Sequence, residues 1–123
     1  MSRNNKVFGN RGEAIAGLYL TRNGFCVLQY NYRQAWGEID IVAQKKDLTV
    51  FVEVKTRIIK AASDLKERPD VSITPKKIYK IRLTANSYIR HMKLDPGANY
   101  RFDAISIVIH REKVFLRHIP HAF

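Results

Sequence analysis

GEIDIVAQKKDLTVFVEVKTR, residues 37–57, alternates apolar and polar side chains in two runs separated by a short charged stretch, Lys45, Lys46 and Asp47. Such alternation predicts two half-buried strands joined by a tight turn. With the turn centred between Lys46 and Asp47, a two-residue or a four-residue loop gives the same register. That register sets Ile39 opposite Val54, Ile41 opposite Val52 and Ala43 opposite Val50, an unbroken apolar face. The other face then carries Val42 opposite Phe51, Asp40 opposite Glu53, and Glu38 opposite Lys55. Packing selects the register, and the register brings two acids together.

Facing residues of an antiparallel pair have Cβ atoms about 4.5–5.5 Å apart, so two carboxylates there repel unless something neutralises them. A divalent cation does this. Mg²⁺ takes hard oxygen ligands, keeps several waters and is commonly held by one or two carboxylates plus a substrate phosphate oxygen. The ion polarises a phosphodiester and activates a bound water, so Asp40 and Glu53 are the expected metal ligands of a hydrolytic site. Lys55, on the same face as Glu53, is expected to orient that water or to stabilise charge developing on the phosphate. The plainer alternative makes Glu38 and Lys55 a cross-strand ion pair and Asp40 an acceptor for a backbone amide at a strand end.

Outside this stretch, residues 11–23 contain good helix formers and end at Gly24, a suitable residue just past a helix terminus. Glu13 shares a stripe with Ala16, Gly17 and Leu20, which points it toward the sheet. It is either a further member of the site or a first-turn acid favoured by the helix dipole. Residues 25–33 form a third strand, and residues 58–73 a long loop open to motion. Thr74 and Pro75 supply a cap and first turn for a helix running to about residue 93, with Ile78, Ile81, Ala85, Tyr88, Ile89 and Met92 on one stripe. After a turn at Asp95, Pro96 and Gly97 come a buried strand, 101–109, and an edge strand, 113–118.

The 123 residues make one domain by size, and 46% hydrophobic with 27% charged residues belongs to a soluble globular chain. No stretch is long enough to cross a bilayer, no secretory signal is legible, and the single cysteine, Cys26, has no internal disulfide partner. A cytoplasmic protein is expected, with Cys26 a small core residue. Twenty-two Lys and Arg against 11 Asp and Glu leave a net charge of +11, which favours a polyanionic partner, nucleic acid above all.

Lys76, Lys77, Lys80 and Arg82 lie off the apolar stripe of the second helix, where phosphate contacts would lie. Arg33, Arg57, Lys60 and Arg101 are expected to extend a basic rim around the acids. Tyr30, Tyr32 and Trp36 offer stacking surfaces or ordinary packing. Asp103, at the start of its strand, reads as a strand-end hydrogen-bond acceptor rather than as an acid supporting the metal ligands, and the four histidines show no zinc spacing.

The motifs G-E at 12–13, N-Y-R at 31–33, G-E-I-D at 37–40, F-V-E-V-K-T-R at 51–57, T-P-K-K at 74–77 and R-F-D at 101–103 resemble those of the YraN family. That family is similar to the PD-(D/E)XK nucleases, including Holliday-junction resolvases. Ile39 stands where the superfamily signature has its proline, a variable position. The resemblance implies an α/β fold with a restriction-endonuclease-like αβββαβ core: a mixed sheet flanked by helices, here with an extra C-terminal edge strand. It implies Asp40 and Glu53 as metal ligands, Lys55 as the catalytic lysine and Glu13 as an additional helical acid. The expected protein is a Mg²⁺- or Mn²⁺-dependent endonuclease of DNA, branched or damaged DNA included, with Arg33, Arg57, Lys76, Lys77 and Lys80 on nucleic acid. The alternative is a binding module with this fold and no turnover. A homodimer suits a two-strand cut.

Overall fold

Leu20, Thr21, Gly24 and Phe25 close the first helix. Phe25 N–H bonds the Leu20 carbonyl at 2.9 Å and Gly24 N–H bonds that of Thr21 at 3.1 Å. Gly24 has φ 90°, and Phe25 packs with Leu20 in the core. This pairing of bonds is the glycine-terminated helix stop expected at Gly24. The computed structural model describes residues 3–66 and 74–123, with side chains described for 11–64 and 74–123. The helix, α1, spans Arg3–Arg22 and so starts earlier than residue 11.

The remaining elements are β1 (Cys26–Gln34), β2 (Gly37–Lys45), β3 (Leu48–Ile59), a 3-10 turn (Ala62–Lys66), α2 (Pro75–His91), β4 (Asn99–His110) and β5 (Lys113–Ile119). The expected loop over 58–73 therefore begins later, because β3 runs on to Ile59 and the 3-10 turn follows. Residues 67–73 of that loop lie outside the described residues. Thr74 caps α2, its Oγ1 accepting the Lys77 amide at 3.2 Å, with Pro75 in the first turn. Met92 is the C-terminal cap and is exposed rather than part of the buried stripe.

The five strands form one mixed sheet in the order β1-β2-β3-β4-β5. β1, β2 and β3 are an antiparallel meander, β3 and β4 are parallel across α2, and β5 returns antiparallel on the edge. A parallel pair needs a crossover, which α2 provides. The expected αβββαβ order is present, with the extra edge strand at the C-terminus. β4 is buried continuously from Asp103 to Ile109 because both of its faces are covered.

One core layer joins Ala16 and Leu20 of α1 to Ile41, Ala43, Val50, Val52 and the isoleucines of β4. The other joins Ala85 and Tyr88 of α2 to Tyr32, Ile39, Val42 and Phe51. Asp103 is fully buried on the α1 side, taking both nitrogens of a forked Arg101 at 2.8 Å and His118 Nε2 at 2.7 Å. Tyr19 Oη stands 3.0 Å from His118 Nδ1, so one polar chain ties α1, β4 and β5. Asp103 is thus an internal acceptor, and Arg101 is spent on it rather than on a basic rim. Cys26 is exposed, not core: it lies on the edge strand β1, just before the irregularity between Val27 and Gln29.

Candidate metal centre and nucleic-acid interface

The β2–β3 ladder runs in the expected register from Lys45↔Leu48 to Ile41↔Val52 around a two-residue turn. Beyond it the strands part, and the residue at the parting is Asp40. Its Oδ2 accepts the Val54 amide at 2.7 Å, so a carboxylate stands where a ladder carbonyl would. The parting turns β2 over. Ile41 packs in the α1 layer and Ile39 in the α2 layer, although residues two apart on a regular strand share a face. β1 turns beside it at Asn31, whose φ is 52° and which lies between the pairs Tyr30↔Ile41 and Tyr32↔Ile39.

Three expected pairings are corrected by this. Ile39–Val54 and Glu38–Lys55 are absent from the ladder: Val54 packs with the α1 layer, and Glu38 meets Arg33 of β1, with Nε 3.3 Å from Oε2. Asp40 and Glu53 stay together as walls of one cavity rather than as rungs of one ladder.

Glu13 enters from α1. A Cβ at Gly12 would overlap Thr56 Oγ1 of β3, so glycine there permits the close approach that carries Glu13 inward. Asn31 Nδ2, delivered by the turned-over segment of β1, donates to Glu13 Oε2 at 2.9 Å. Oxygens of Glu13, Glu38 and Asp40 lie within 4.8 Å of one another. Glu38, Asp40 and Glu53 line a cavity of about 370 Å³ whose other wall includes Lys77 and Lys80 of α2. Lys77 Nζ lies 2.8 Å from Glu53 Oε1; the lysine is 42% exposed and the glutamate 13%, so the cation reaches in from solvent.

Burial, reinforced by the charge of Glu53, pushes the Asp40 carboxyl up to about 8 against the lowering pull of the Val54 amide. Burial also raises Glu13, opposed by the Asn31 hydrogen bond. Acids gathered this closely favour protons or a bound cation, and an all-oxygen donor set suits Mg²⁺ or Mn²⁺.

Lys55 is half-buried on β3, two residues, about 6–7 Å, past Glu53, and is not part of this cavity wall. Lys76, Lys80 and Arg82 are exposed, with the Arg82 guanidinium 5.1 Å from the Phe102 ring centre. Lys77 is not on the solvent face expected of it but turned to Glu53. Arg33 flanks Glu38, while Arg57 donates to the Asp64 carbonyl at 3.5 Å. Strand alternation sets Glu38 on the face of Asp40, one residue away in G-E-I-D, but gives it to Lys55; the structure gives it to Arg33 and to the acids Glu13 and Asp40.

The profile described as "Uncharacterised protein family UPF0102" matches residues 12–107. The chain belongs to the UPF0102 family. UPF0102 proteins of Chlorobium phaeobacteroides, Geobacter metallireducens and Clostridium acetobutylicum are 39%, 40% and 38% identical to it. They match 98%, 100% and 100% of this chain and 94%, 97% and 98% of their own lengths. Among solved structures, it is similar to Hjc, a Holliday junction resolvase of Archaeoglobus fulgidus. The TM-score is 0.49 and the identity 17%, over 89% of this chain and 73% of that one. The span that matches the UPF0102 profile takes in all four acids of the site, Glu13, Glu38, Asp40 and Glu53.

Proposed function

We propose that this UPF0102 protein is a one-domain, cytoplasmic, Mg²⁺- or Mn²⁺-dependent endonuclease that hydrolyses phosphodiester bonds in DNA, branched or damaged DNA being the substrates to try first. The observation that carries the reading is the convergence of Glu38, Asp40 and Glu53 on one cavity bordered by Lys77 and Lys80, with Glu13 of α1 brought within 4.8 Å of the Glu38 and Asp40 oxygens. Asp40 and Glu53 would hold the ion, with Glu13 and Glu38 close enough to add oxygens. When bound, such an ion polarises the scissile phosphate and lowers the pKa of water.

The chain's own residues do the rest. The Val54 amide fixes one Asp40 oxygen, and Asn31 fixes one of Glu13, so the donors are oriented in advance. Lys77 and Lys80 stand where they neutralise phosphate oxygens, with Lys76, Arg33 and Arg57 extending the basic surface. Lys55 supplies a cation beyond Glu53 for the attacking water or the developing phosphate charge. Two copies acting together suit paired cuts, which sedimentation with DNA measures.

Branched, nicked and linear DNA incubated with protein and Mg²⁺ or Mn²⁺ tests the reading. At least one substrate should be cut, with the cutting lost in Asp40→Ala and Glu53→Ala. No cutting in any substrate, with Asp40→Ala binding like the parent, overturns it. A non-catalytic nucleic-acid-binding module is the second reading, favoured by the Lys77–Glu53 pair, which neutralises one acid internally. That module would bind with strong salt dependence, insensitively to metal and to Glu53→Ala.

A further inference from the structure

Trp36 is the only tryptophan of the chain, and it lines two cavities. One is the acid cavity; the other, of about 630 Å³, lies between α2 and the sheet and is walled by Phe51, Tyr100 and Phe102. Trp36 sits in the two-residue turn between Gln34 and Gly37, without a ladder partner, and is 42% exposed. The turn is clamped: a Cβ on Gly37 would come within 2.7 Å of Thr84 Oγ1 and 3.3 Å of the Lys80 carbonyl, so only glycine lets it lie this close to α2. The indole is therefore displayed from a rigid support.

The second cavity has the size of a small-ligand site. Its sheet-side wall is a stack of rings: Phe51 lies 5.4 Å from Phe102 and 6.0 Å from Tyr100, each pair at 28°. Ala85 leaves room beside that stack, and Asn86 and Arg90 on the rim are exposed. No acid lines it. The rim offers a donor–acceptor amide and a guanidinium, the groups that read the edge of a base, and the exposed Trp36 indole offers the ring on which a base stacks.

From this continuity of an aromatic slot with an acid cavity through one shared indole, we infer that the slot receives a single unstacked nucleobase. The substrate class is then nucleic acid with an unpaired nucleotide beside the linkage held at the acids. A nucleotide joins a flat π face to a phosphate by its sugar, and the two adjoining cavities present complementary chemistry to those two ends. The inference rests on the phosphodiesterase reading for the occupant of the first cavity.

Three duplexes test it, with EDTA present so that cleavage plays no part: fully paired, with one unpaired adenine, and with an abasic residue in place of that adenine. The adenine bulge should quench the tryptophan emission and bind about tenfold more tightly than the other two. Trp36→Ala should remove that advantage and Trp36→Phe keep part of it. Equal binding and equal emission with all three duplexes overturns the inference, as does an equal loss for all three in Trp36→Ala. Emission that instead changes with protein concentration alone gives the slot to a second copy, and also overturns it. Quenching in the parent chain decides even if the alanine variant fails to fold. A protein that prefers the bulge but never cuts DNA sinks only the hydrolase reading. One that cuts DNA but ignores the bulge sinks only this one, and one that binds no DNA either with or without Mg²⁺ sinks both.

Discussion

Asp40 is held by one amide and surrounded by three other carboxylates, so its ionisation works against the fold. Its folded-state pKa, about 8, lies above the ordinary value of 3.8. The neutral acid therefore contributes stability that is fully present below the ordinary value and is lost as pH rises through 8. Asp40→Asn, which keeps an oxygen for the Val54 amide, should leave stability near that of the parent at pH 4. At pH 9 it should stabilise the metal-free protein by on the order of 2 kcal/mol, less than the full displacement implies because water in the cleft screens the charge. Urea unfolding across that range is the check, and a Mg²⁺-binding titration of the same variant should show the site lost. Lys77→Ala should act oppositely on the ion. Removing the cation that competes for Glu53 should tighten Mn²⁺ binding several-fold by calorimetry while weakening DNA binding.

At the scale of elements, the Tyr19–His118–Asp103–Arg101 chain does the joining that the apolar layers cannot do at the sheet's end. Burial alone would raise Asp103, but the hydrogen bonds from His118 and Arg101 outweigh it and hold the carboxyl below its ordinary value. The ion pair thus contributes stability present above 3.8 and lost as pH falls through the lowered folded-state value. Asp103→Ala leaves Arg101 and His118 facing a vacated buried position and should cost about 3–5 kcal/mol, read by urea unfolding at pH 7. The deficit should shrink below pH 4, where the parent loses the same contribution. This network was half legible in the sequence. R-F-D marks Asp103 as a strand-end acceptor but leaves Arg101 open to DNA, because its alternation with Asp103 says only that they share a face, not that Tyr19 of α1 and His118 of β5 meet them there.

At the scale of the whole molecule, the charge of +11 sets the salt dependence. Binding to duplex DNA should fall linearly in a log–log plot against salt, with a slope near −0.9 per phosphate neutralised, and Lys76→Glu combined with Lys80→Glu should reduce its magnitude by about 2. Titration against NaCl at fixed pH measures it. The sequence by itself determined the element order, the β2–β3 register near the turn and the helix stop at Gly24. Each follows from side-chain periodicity or local backbone chemistry that a few neighbouring residues decide. It also put Asp40 with Glu53, because apolar pairs leave the acids only one shared face. Tertiary structure decided what the acids became. Asn31 and Asp40 abandon the pleat together, and α1 approaches through Gly12 until Glu13 reaches Glu38. Those events depend on two helices pressing on opposite faces of the sheet, a force that no period of two or of 3.6 residues records.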